Sequence, residues 1–307
     1  MHDMARWGSY GIYVNGIGNL IIIDEGENPH TVVPWNSWVF TTLATCINNG
    51  IQVLETPQGR AALFKLGNLV VQEWEKEGRW VFGGYLAKMT YYVDHFLTAV
   101  RRDFPFVKLQ RIDHTTLAET VRLNRSEDSD MLWWDGDLEN YQPKLAARMS
   151  FQRTIILQLA QAADLANRPA KSASEARKVS QHYKSLLFRI SMAVAHELAH
   201  FFVAYLAQRD TPDMANYTPT NVTVLNHGVF DNVQDFTARS GSSSSDHSDD
   251  WWVSGESGSW MENELFGGLI EALYDPQVPE LDPERPISTS PSNAKAPSTP
   301  SATWAFG

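Results

Sequence analysis

Two histidines and a glutamate stand together in a stretch that otherwise carries no charge. Residues 192–207 read MAVAHELAHFFVAYLA, and between Arg189 and Arg209 the ionisable side chains are His196, Glu197, His200 and Tyr205. Leu198 and Ala199 are good helix formers, and no proline interrupts the run. At about 100° per residue, His196 and His200 fall one turn apart on a single face, with Glu197 in the same arc. Two imidazoles at that spacing can bind one Zn²⁺, leaving the glutamate to act on a metal-bound water. The alternative is a core helix whose histidines hydrogen-bond to neighbours and whose glutamate pairs with a distant Arg or Lys. That arrangement needs three separate buried partners where one metal satisfies the group, and unpaired burial costs several kcal/mol.

The HELAH residues resemble the active-site helix of the zincin metallopeptidases. The resemblance covers this helix and a downstream segment. It implies that His196 and His200 are zinc ligands and that Glu197 is the general base in hydrolysis of peptide bonds. It also implies an α+β, predominantly helical fold, with a small sheet beside the helix that carries HExxH. A metzincin would continue with Gly at 203 and His at 206, where this chain has Val203 and Leu206. The aspzincin GTxDxxYG stretch is absent as well. What remains resembles the gluzincin branch, in which a second helix supplies a glutamate as third ligand.

Candidates for that glutamate lie in residues 255–273, GESGSWMENELFGGLIEAL. The spacing predicts a helix over 257–274. Glu262 falls on its stripe with Leu265, Phe266, Leu269 and Leu273, the face such a helix buries. Glu256 sits at the helix start, flanked by glycines that let backbone approach closely. Glu262 and Glu256 are the two candidate third ligands, ahead of Glu264 and Glu271. Gly267 and Gly268 would permit tight packing on the HELAH helix. The gluzincin followers NExxSD and ExxAD are missing, and Phe266 stands four residues after Glu262 where an Asp is common. Tyr217 and His227 lie in the turn-rich connection between the two helices, and either could steady a developing oxyanion.

Around this centre the chain has ample material for a core. Its 307 residues are 43% hydrophobic, with 11 Trp, 14 Phe and 10 Tyr. A formal net charge of −11 argues against nucleic acid and anionic membranes as partners. The zincin resemblance implies a peptide substrate, with a small molecule as the alternative. The single cysteine, Cys46, excludes an internal disulfide framework and leans toward an intracellular setting, as does the lack of a charged-then-apolar N-terminus. No apolar run of about 18 residues is free of polar interruption, so no membrane span is expected. Oligomeric state is left open.

Several elements must position the triad. Residues 20–23 and 51–54 look like short strands, and 35–48 like a helix ended by Asn48-Asn49-Gly50. Thr56 and Pro57 form an N-cap and N1 pair for a helix to about Lys76, with Gly78 as its stop. Residues 85–102 have helical spacing, and 172–208 are strongly helical, as one helix or as two with a break near Ser180. Residues 153–159 suit either a helix or the edge strand that precedes the metal helix in zincins. One catalytic domain is expected over 1–275, with a mixed part at about 1–150, a metal-helix part at about 151–275, and a disordered Pro/Ser/Thr-rich tail over 276–307. Zinc in a small-molecule enzyme, or a non-catalytic zinc staple, would use the same two histidines. A staple needs four protein ligands and no adjacent base, which Glu197 argues against.

Overall fold

In a computed structural model of the chain, the described residues are 16–26, 29–112, 116–123, 134–170, 172–208, 218, 219, 222, 256–268 and 270. They form an α+β fold, mostly helical, with one small mixed sheet. The elements run β1 (Ile22–Asp24), β2 (Thr31–Val32), α1 (Trp38–Glu55), α2 (Pro57–Lys76), α3 (Met89–Arg102), β3 (Phe106–Gln110), β4 (Ala118–Arg122), α4 (Pro143–Ala146), β5 (Ala147–Gln152), α5 (Arg153–Ala166), α6 (Ala173–Ala207) and α7 (Ser257–Phe266).

Local chemistry sets the helix boundaries. Ser37 opens α1 by accepting the Phe40 N–H at 3.2 Å. Thr56 closes α1 and opens α2, its hydroxyl accepting the Gly59 N–H at 3.0 Å with Pro57 in the first turn. Glycine does not end α1 at 50, and residues 51–54 are its last turn rather than a strand. Gly50 is instead a contact point: a Cβ there would lie 2.7 Å from the Ser191 carbonyl and from Val194 Cβ of α6. The two apolar helices approach so closely because this position has no side chain.

The sheet order is β2-β1-β3-β5-β4. Strands β1, β3 and β5 are parallel, while β2 and β4 run antiparallel on the two edges. Along β3 burial alternates, with Val107 and Leu109 fully enclosed. Residues 153–159 belong to α5, and the edge strand that packs on the HELAH-bearing helix α6 is β4. One hydrophobic core draws residues from every helix and from β1, β3, β4 and β5.

Helix α6 is a single 35-residue helix without a break near Ser180. Its first two turns are exposed, whereas the part from Ile190 onward is enclosed by α1, α5, α7 and β4. Among the described residues it alone is long and apolar enough to cross a membrane. Yet 83% of its apolar window is buried inside the fold, the pattern of a core helix. Helix α7 is shorter than its apolar stripe suggests. It ends at Phe266, where Gly267 adopts a left-handed φ of 76° and closes the helix. Residues 271–307, including the Pro/Ser/Thr-rich tail, lie outside the described residues.

Candidate metal centre

The HELAH residues occupy the buried half of α6, which packs against both α7 and β4. Helix α7 begins against that half. Its N-cap is Glu256, held extended at φ −129° and ψ 92°, with its main-chain N–H bonded to the Val222 carbonyl at 2.8 Å. One carboxylate oxygen, Oε2, caps the helix by accepting the Ser259 N–H. The other, Oε1, lies 2.5 Å from His200 Nε2 and 3.3 Å from His196 Nε2. These three donor groups fall within 4.8 Å of one another.

Gly258 makes this approach possible. A Cβ at 258 would lie 2.3 Å from Cδ2 and Nε2 of His196, inside the imidazole ring's contact surface. Gly267 and Gly268 play no such part, since a Cβ on either meets nothing within 4 Å. The close packing of α7 on α6 therefore occurs at its N-terminus rather than its C-terminus.

Glu262 reaches His196 from the other side of the ring, Oε1 lying 2.9 Å from Nδ1. Nδ1 and Nε2 face away from each other, so Glu262 buttresses His196 where Glu256 shares the Nε2 side with His200. The Nδ1 of His200 is met by the Ser257 hydroxyl at 2.8 Å, which in turn accepts from Thr218 at 3.5 Å. Glu264 is turned outward into an ion pair with Lys65. Tyr217, His227 and Glu271 lie outside the described residues.

Glu197 is 7% exposed. Burial is the main influence on its carboxyl and pushes its pKa up, opposed by the two imidazoles and by the Thr120 hydroxyl of β4. Burial also opposes charge on His196, but contact with Glu256 and Glu262 outweighs it and raises the imidazole to about 10. Against the same desolvation, the two imidazoles hold the Glu256 carboxyl well below the usual carboxylate range. Among the described residues, Glu256 and Glu262 form ion pairs with imidazoles alone. Three acids around two histidines leave a deficit of positive charge that a divalent cation would fill. Two imidazole nitrogens and one carboxylate oxygen are also a donor set suited to zinc with one position left open.

Sequence reasoning missed Ser257 and Thr120. Ser257 could have been suspected as the neighbour of a candidate ligand. Thr120 carries no local signal, because only the pairing of β4 with β5 brings it to Glu197. Comparison with protein-family models, with curated proteins and with solved structures finds no match to this chain.

Proposed function

We propose that this chain is a zinc-dependent metallopeptidase of zincin-like fold, with His196, His200 and Glu256 as metal ligands and Glu197 as general base. The observation that carries the reading is the convergence of both Nε2 atoms on one Glu256 oxygen, beside a buried glutamate from the same helix turn. A second support is the antiparallel edge strand β4, packed on α6 with Thr120 at Glu197. Its outer edge pairs with no other strand among the described residues, so an extended peptide could add to it.

Bound to these ligands, zinc would supply Lewis acidity, polarising the scissile carbonyl and lowering the pKa of water. Glu197 accepts the proton that water gives up on attacking the carbonyl, then returns it to the leaving amine. Desolvation suits it to this task, because a carboxylate whose pKa is raised is a stronger base. Thr120 donates to the main-chain carbonyl of Glu197, and Ser257 and Glu262 hold the two imidazoles.

The test is hydrolysis of a mixture of unstructured peptides by the zinc-loaded protein, read by mass spectrometry. Cleavage is expected in wild type and loss of at least a hundredfold in Glu197→Gln, at unchanged zinc content. Undiminished cleavage by Glu197→Gln, or an inert zinc-saturated wild type, would contradict the proposal.

A further inference from the structure

We infer that Glu262 is a positioning residue that fixes the His196 proton on Nδ1 and so commits Nε2 to the Glu256 side, while His200 is held less firmly by a neutral hydroxyl. This rests on the metal-centre reading above.

An ionised carboxylate can only accept hydrogen bonds. With Glu262 Oε1 at 2.9 Å, His196 Nδ1 therefore carries a hydrogen, and Nε2, on the Glu256 side, is the nitrogen whose proton a metal ion would replace. Glu262 is itself anchored at both oxygens, because Oε2 accepts the Ile270 N–H at 2.9 Å. Between Glu262 and Ile270, Gly267 closes α7 in a left-handed conformation, its N–H bonded to the Asn263 carbonyl. The Glu262 side chain is 15% exposed, so water competes weakly for it. Carboxylate, imidazole and ligand position thus form one chain of contacts running from Ile270 to Glu256.

His200 is supported differently. The Ser257 hydroxyl at 2.8 Å can donate or accept, so it fits either tautomer of His200. Its tie to Thr218 is long, at 3.5 Å. A carboxylate partner also makes an imidazole a stronger electron donor, which a hydroxyl does not match. The two ligands are therefore unequal, and His196 depends on Glu262 more than His200 depends on Ser257.

The experiment measures Zn²⁺ affinity by chelator competition, and the visible absorption of the Co²⁺-loaded protein, for wild type, Glu262→Gln and Ser257→Ala. Gln keeps the shape and can still accept the Nδ1 hydrogen, so the variant removes charge with little change in packing; circular dichroism and Tm check its fold. Glu262→Gln is expected to loosen zinc on the order of 10–100-fold and to shift the cobalt bands, with a smaller loss in Ser257→Ala. Wild-type affinity and an unshifted spectrum in Glu262→Gln would overturn the inference, as would a larger loss in Ser257→Ala. A measurement that needs no variant is the ¹⁵N spectrum of the zinc-loaded wild type. A proton on His196 Nδ1 supports the assignment, and a proton on Nε2 overturns it. A wild type that binds neither metal would overturn the metal-centre reading itself, and this inference with it.

Discussion

Gly258 lies against the face of His196 so closely that a single added methyl would sit 2.3 Å from Nε2. The glycine is in the first turn of α7, two residues after Glu256, so the same close approach that excludes a side chain brings Glu256 to the imidazoles. Gly258→Ala should therefore damage the centre more than the fold. The methyl must displace either the His196 ring or the start of α7. The expected result is a zinc affinity at least tenfold weaker, with far-UV circular dichroism unchanged. An alanine variant with wild-type affinity would show that the approach is looser than the structure has it.

Gly50 makes the corresponding contact on the other side of α6. Its replacement by Ala would gain up to about 1 kcal/mol of helix propensity. A Cβ at 2.7 Å from the Ser191 carbonyl and Val194 would overpack the α1–α6 contact, which typically costs 1–3 kcal/mol. A net loss is expected, seen as a lower urea midpoint at unchanged slope. An unchanged or raised midpoint would mean that the helices can separate without cost.

These two glycines illustrate what was legible in the sequence. Gly50 after two asparagines resembles a helix stop, yet its role is set by α6, distant in sequence. Thr56 and Pro57 were readable because a cap is a local event, and Thr56 does cap α2. The HELAH register was readable for the same reason. Strands β3, β4 and β5 were not foreseen, because a short strand gains its stability from neighbours rather than from its own residues. The rotation of α7 could not settle whether Glu256 or Glu262 shares the Nε2 side of His196. That depends on the helix beginning at Glu256 and on Val222 holding its backbone in place.

Cys46 offers a pH test of the core. The thiol is fully enclosed and donates to the Leu187 carbonyl at 3.8 Å. Burial pushes its pKa up from 9.0 to about 12. A folded-state pKa above the unfolded one contributes stability that is fully present below pH 9 and lost as pH rises toward 12. By pH 11 the loss from this one group is roughly 3 kcal/mol. Buried Tyr141 and Tyr205, also shifted upward by burial, add a loss of the same sign. Cys46→Ala should flatten the alkaline fall in stability without abolishing it. At pH 8 the native thiol should resist alkylation and react fully once the protein is unfolded. Rapid alkylation of the native protein would contradict the burial.

The most direct test of the central claim is the zinc stoichiometry of the purified, zinc-reconstituted protein, measured beside His196→Ala and Glu256→Ala. Near one equivalent in wild type, with loss in both variants that keep their helical circular dichroism, is the predicted result. A folded wild type that takes up no zinc would contradict the account, leaving His196, His200 and Glu256 as a self-satisfied cluster of imidazole–carboxylate pairs in the core.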